Sequence, residues 1–268
     1  MSNLALRIIT ALLIIPPVLA LVLFANPIYV AATAAVLAGM AGFEFSNMAF
    51  DQTYGRFKFL VSSLSAVVAG TVCTIHKTPL APVVLLMTVA PLNFGLFMFA
   101  GKDTRQSLIN ASLATAGALY VGGLFGAIGL IPFYPQGRMW FMLLFSSVIL
   151  NDTFAYAFGK LLGKHKLHRV LSPNKTWEGS FGGILGSVLA TLVMQQFFLS
   201  GLELLSAIGL GIILGAVSQI GDLMESFIKR SFNVKDAGKL IPGHGGILDR
   251  CDALMLGAPL VLLFILFR

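Results

Sequence analysis

Charge is what this chain lacks. Only 11% of its 268 residues are Asp, Glu, Lys or Arg, against about 25% in an ordinary soluble domain. Hydrophobic residues make up 57%, and the mean hydropathy is +0.89. A soluble chain of this length would cover one large core with a polar shell, and this composition cannot supply that shell. Cysteine is nearly absent: Cys73 and Cys251 stand far apart, which excludes a disulfide framework and a CxxC metal pair. No nucleic-acid-binding motif is present. The net charge of +7 is spread over loops between apolar segments, which argues against a nucleic-acid partner. A clear small-residue cleavage site is also missing after the apolar run Ile8 to Phe24, so that run reads as a first membrane span and not as a signal peptide.

What is there is a series of apolar runs, each near the roughly 20 helical residues needed to cross about 30 Å of hydrocarbon. They fall at about 8–25, 28–49, 59–75, 80–100, 107–131, 138–158, 180–199, 204–224 and 251–267. Pro16-Pro17 predicts a kink or a tilted entry in the first. The glycines between Gly117 and Gly129, and Gly182, Gly183 and Gly186, predict close helix packing. Loop charge then orients the chain. With the N-terminus and the even-numbered loops on one side, all but Lys77, Arg138 and Arg268 of the 18 Lys and Arg share that side. The positive-inside rule makes it cytoplasmic. The expectation is an all-α polytopic membrane protein with about nine transmembrane helices, N-terminus cytoplasmic and C-terminus outside, multi-pass in a plasma membrane. Residues 1–137 would form a lipid-embedded scaffold. Residues 138–268 would carry the chemistry on cytoplasmic loops 151–180 and 221–252.

These two loops hold most of the chain's polar chemistry. Asp222 and Glu225 are spaced i, i+3 near the end of the eighth run, and Asp249 and Asp252 share that spacing at the start of the ninth. Asp152 lies in the second half of the sixth. Carboxylates on three helix segments suit a hard cation such as Mg²⁺. Lys175, Lys229, Arg230, Lys235 and Lys239 suit phosphate oxygens. Gly243-His244-Gly245-Gly246 lets backbone amides approach an anion just before a helix start. Taken singly, each element has a plainer reading: acid pairs at helix ends cap or pair with cations, and Lys-Arg clusters anchor topology. Glu44 and Arg7, near the margins of early spans, read as interfacial or internal partners. Together on one membrane face, acids, cations and glycines point to metal-assisted phosphoryl or nucleotidyl transfer.

The segment Ser226-Phe-Ile-Lys229-Arg230, then Lys235-Asp236-Ala-Gly238, then Ile241-Pro242-Gly-His244-Gly245-Gly246-Ile247-Leu-Asp249-Arg250-Cys251-Asp252 closely resembles the signature of phosphatidate cytidylyltransferases, or CDP-diacylglycerol synthases. Cys251 departs from the aliphatic residue, Phe or Thr usual there. Asn151-Asp152-Thr153-Phe154-Ala155-Tyr156 with Gly159-Lys160, and Ser172-Pro173-Asn174-Lys175-Thr176-Trp177-Glu178-Gly179, resemble the same family. The first 140 or so residues agree with it only in being hydrophobic.

The resemblance implies condensation of CTP with phosphatidic acid to CDP-diacylglycerol and pyrophosphate, dependent on Mg²⁺, with a second cation such as K⁺ associated. It implies Asp222 and Asp249 as leading metal ligands, with Asp252 and Asp152 as further ones. Lys229, Arg230, Lys235, Asp236 and His244 join the catalytic set. Lys175, Ser172, Asn174, Thr176, Trp177, Glu178, Lys239, Gly245, Gly246 and Arg250 would bind substrate. The lipid bilayer is the working environment, and a homodimer is one arrangement it allows. Two alternatives stay open: a cytidylyltransferase for an ether-linked or isoprenoid lipid phosphate, and an ion-coupled transporter. The transporter predicts midplane acids and internal repeats, and no repeat is apparent. The multi-aspartate pattern of CDP-alcohol phosphotransferases is absent.

Overall fold

The structure is a computed structural model that describes residues 3–50, 55–78, 80–99, 103–168, 171–238, 240 and 245–268. Lys102, Arg169, Lys239, Gly243 and His244 lie outside the described residues.

Nine α-helices form among the described residues, in the order α1 (Asn3–Phe24), α2 (Pro27–Ala49), α3 (Gly55–Val72), α4 (Leu80–Met98), α5 (Thr104–Leu130), α6 (Gly137–Leu162), α7 (Trp177–Phe197), α8 (Leu204–Ser231) and α9 (Leu248–Phe267). Each falls on one of the nine apolar runs. Among the described residues six helices (α2, α5, α6, α7, α8 and α9) are long and apolar enough to cross a membrane. The other three contribute the shorter apolar stretches Ile15–Phe24, Phe57–Val72 and Pro82–Met98. The molecule is thus a helical, multi-pass membrane protein by the length and composition of its helices. Helix α1 runs on through Pro16 and Pro17.

Polar residues at the predicted starts set the helix boundaries. Asn26 accepts from the Ile28 N–H at 3.0 Å, with Pro27 in the first turn of α2. Asp103 accepts from the Arg105 N–H at 2.9 Å to open α5. Two helices outrun their apolar stretches. Helix α6 continues to Leu162, and α8 continues to Ser231, where Lys229 and Arg230 complement the negative end of the helix dipole. The polar loop after α8 therefore begins about ten residues later than hydropathy suggests. Between α6 and α7, where hydropathy gives only a polar loop, lies an antiparallel hairpin of β1 (Lys166–His168) and β2 (Ser172–Thr176). Its strands are too short and polar to show an alternating pattern.

The chain divides into two compact units. The first joins Met1–Phe133 with Asp236–Arg250, and the second joins Tyr134–Lys235 with Cys251–Arg268. In the first, the small-residue face of α5 packs on α3: a β-carbon at Gly122 would stand 2.6 Å from the Ser65 carbonyl oxygen, so only glycine fits. Phe50, Phe57, Val61, Phe97, Ala111 and Ala114 form a buried core there. In the second unit α7 packs between α6 and α8. Gly182 meets Phe158 of α6, and a β-carbon at Gly215 of α8 would lie 2.9 Å from the Ile184 Cα. Both glycine-rich stretches do serve close helix approach.

Candidate active site

Close packing of α6, α7 and α8 brings polar side chains into an apolar interior, where each needs a partner. Asn151 of α6 is 1% exposed. Its Oδ1 accepts from Nε2 of Gln219, on α8, at 3.1 Å. Gln219 Nε2 also donates to the Ser180 carbonyl at 2.9 Å, and the Ser180 hydroxyl donates back to Gln219 Oε1. This triad ties the three helices together beneath an open cavity of about 480 Å³, a usual volume for a ligand pocket. Asp152, Tyr156 and Lys160 of α6, Asn174, Lys175 and Thr176 of β2, and Ser180, Gln219 and Asp222 line it. Thr176 also caps α7, accepting from the Gly179 N–H at 3.2 Å.

An ion pair stands in this cavity. Lys175 Nζ donates to Asp222 Oδ2 at 2.6 Å, with side chains 29% and 27% exposed. The Asp222 carboxyl lies within hydrogen-bonding reach of that of the buried Asp252, and Glu225 lies near enough to act on Asp252 electrostatically. Gly221 makes that approach feasible, since a β-carbon there would stand 2.8 Å from the Asp252 carbonyl oxygen. Glu225 in turn accepts from Lys229 Nζ at 2.6 Å, one helical turn on. Three carboxyl groups and two lysines thus adjoin in the second unit. Among the described residues no three His, Cys, Asp or Glu side chains gather closely enough to hold a metal ion as they stand. The donor chemistry nevertheless fits a hard cation: Asp222 and Asp252 present carboxyl oxygens side by side, a pairing that a cation between them relieves.

Other sequence-derived candidates in this unit lie elsewhere. Trp177 is 51% exposed and tilts against Phe181. Glu178 accepts from the Lys164 N–H at 3.1 Å and pairs with His165 Nδ1 at 2.6 Å, which fastens the approach to β1. Ser172 starts β2, paired with His168. Arg230 is exposed and donates to the Val234 carbonyl at 3.1 Å, and Lys235 is exposed.

The rest of the signature belongs to the first unit. Asp249 Oδ2 accepts from the Ala237 N–H at 2.9 Å and the Gly246 N–H at 2.8 Å. Gly245 turns the chain with φ +87°, a conformation that favours glycine. The Ile247 and Leu248 N–H groups donate to Oε1 and Oε2 of Glu44, each at 3.0 Å. The amides of residues 246–248 therefore meet carboxylates of the chain itself. Asp236 and Arg250 are exposed.

Sequence reasoning placed Asp152, Asn174, Lys175, Thr176 and Asp222 in the site, read Glu44 as an interfacial or internal partner without naming what it engages, and missed Asn151, Ser180 and Gln219. The available signal was an amide or acid inside an apolar run, a costly placement that marks a partnered or working residue.

Fold and site together define a class, a multi-pass helical membrane protein whose polar cavity holds a lysine–carboxylate pair beside further acids. The sequence model described as the cytidylyltransferase family matches residues 5–267. The chain belongs to that family. It is 45% identical over 163 residues to a phosphatidate cytidylyltransferase of Staphylococcus epidermidis, covering 60% of this chain and 61% of the relative. It is 39% identical over 190 residues to the phosphatidate cytidylyltransferase of Staphylococcus aureus, covering 69% and 71%. With that of Staphylococcus saprophyticus it shares 43% over 160 residues, covering 60% and 61%. The chain thus spans 61% of the length of the S. epidermidis relative.

Proposed function

We propose that this protein condenses CTP with phosphatidic acid, releasing pyrophosphate and leaving CDP-diacylglycerol in the membrane. The observation that carries the reading is the Lys175–Asp222 pair in a cavity of about 480 Å³, in a chain matched to the cytidylyltransferase family over residues 5–267. An oxygen of the phosphatidate phosphate attacks the α-phosphorus of CTP. The new P–O bond forms as the bond to the β-phosphate oxygen breaks, and that oxygen leaves with pyrophosphate. The nucleophile is already an anion, so no strong general base is required. The barrier lies in bringing two polyanions together, and positioned cations lower it.

Lys175 holds a phosphate oxygen in the cavity, with Asn174 and Thr176 beside it. Lys229, Arg230 and Lys235 supply further positive charge, and His244, Lys239 and Arg250 of the signature are further candidates for phosphate binding. Asp222 and Asp252, with Asp152, would hold Mg²⁺, which offsets phosphate charge when bound, and Asp249 is a further candidate ligand from the signature. The charge asymmetry of the loops supports nine crossings with the N-terminus in the cytoplasm, where CTP is found. The staphylococcal relatives support the plasma membrane of a bacterium as the location.

The test is pyrophosphate release by detergent-purified protein given CTP, Mg²⁺ and dioleoyl phosphatidate, with controls lacking each. Release that needs all three, with a CDP-lipid product, supports the proposal. Activity confined to an ether-linked isoprenoid phosphate would keep the chemistry and change the lipid, whereas silence with every lipid from folded protein would overturn it.

A further inference from the structure

Glu44 occupies an expensive place. It lies within the apolar helix α2 and is 2% exposed, where a carboxylate survives only if its oxygens are satisfied. Each oxygen accepts one backbone N–H at 3.0 Å, from Ile247 and Leu248. These are donors at the start of α9, which have no partner within the helix. Two signature glycines close over the same carboxylate, for a β-carbon on either Gly238 or Gly246 would stand 2.7 Å from Glu44 Cδ. The next N–H back along the chain, that of Gly246, goes to Asp249 Oδ2 at 2.8 Å, and the Ala237 N–H joins it at 2.9 Å. Three consecutive amides are thus shared between two carboxylates, two for Glu44 and one for Asp249.

Resting on the cytidylyltransferase reading, we propose that Glu44 is a positioning residue for the reaction: it clamps the signature turn and thereby fixes the orientation of Asp249. Gly238 and Gly246 are glycine because the Glu44 carboxylate fills the space of their side chains. Without Glu44 the Ile247 and Leu248 amides are orphaned and compete for the Asp249 carboxylate, which turns from its place.

Glu44→Gln keeps the size and removes one of the two acceptors. Gly246→Ala leaves Glu44 intact and pushes it off the turn, so the same prediction is reached from the opposite side. Both variants should lower kcat by roughly 10–100-fold, the usual effect of losing an outer partner of an active-site ligand. In Glu44→Gln the KM for CTP should stay within about twofold, because the phosphate-binding lysines are untouched. Hydrogen exchange on the unreacted protein is the second readout: amides of residues 245–249 should lose protection while those elsewhere in α2 and α5 keep theirs. Wild-type kcat in Glu44→Gln overturns the proposal, as does unchanged protection of 245–249. A fall in activity matched by general loss of protection also overturns it, since the role would then be merely structural. If the wild-type protein itself released no pyrophosphate, the functional reading would fail, and the exchange experiment would still judge the clamp.

Discussion

Replacing Lys175 with methionine is the sharpest test of the cavity. Its Nζ lies 2.6 Å from Asp222 Oδ2. At an effective dielectric constant of about 20, the direct attraction is about 6 kcal/mol. Both side chains are more than a quarter exposed, and desolvation offsets much of that attraction, so about 1–2 kcal/mol remains as net stabilisation of the fold. Turnover should suffer more. Methionine cannot meet a phosphate oxygen and leaves Asp222, Asp252 and Glu225 with one fewer counter-charge where a polyanion must enter. Losing one positioned charge at a developing anionic centre costs about 10²-fold or more, or about 2.7 kcal/mol of barrier. Lys175→Met should therefore lower kcat/KM for CTP at least about 100-fold in the pyrophosphate-release assay, with a thermal midpoint only a few degrees lower. Lys175→Arg should recover part of the loss. A Lys175→Met enzyme within about threefold of wild type would show that Lys175 is a surface partner of Asp222 and touches no phosphate.

Asp249→Ala should retain less than a tenth of wild-type turnover, a barrier increase above ~1.4 kcal/mol, measured on protein that still elutes as one species in detergent. Gln219→Leu leaves the buried Asn151 Oδ1 without its Gln219 donor and should destabilise the protein by about 1–3 kcal/mol, read as a lower thermal midpoint. Chelation of divalent ions should stop pyrophosphate release, and added Mg²⁺ should restore it. Release that persists in excess chelator would remove the cation from the mechanism.

Much of the architecture was legible because burial in lipid demands long apolar runs, and helices α2 and α4 begin within a residue of their runs, at Pro27 and Leu80. Polar helix ends were not legible by the same measure. Helix α8 holds Glu225, Lys229 and Arg230 past the end of its apolar run, and the Glu225–Lys229 pair at 2.6 Å supports the extra turns. Spacing grouped Asp222 with Glu225 and Asp249 with Asp252, and these do lie on single helices. It did not show that Gly221 lets Asp252 reach Asp222, since that depends on two backbones meeting. The hairpin was hidden because three- and five-residue strands leave no period to read. Glu44 was visible as an acid in an apolar run, but its partners stand 203 and 204 residues further on, beyond the reach of any local rule.

That separation has a consequence for how the protein is made. At roughly 5–20 residues per second, a ribosome takes about 10–40 s to travel the 203 residues from Glu44 to its first partner. For most of that interval helix α2 (Pro27–Ala49) is complete, yet its carboxylate has neither of these amides to accept from. Water must serve the two oxygens until the signature arrives, so α2 cannot complete its burial in translation order. Chains arrested before residue 245 should leave a cysteine placed beside Glu44 open to a water-soluble thiol reagent, and full-length chains should close it. Assembly then finishes from the far end of the message backwards, with one late segment sealing one early helix.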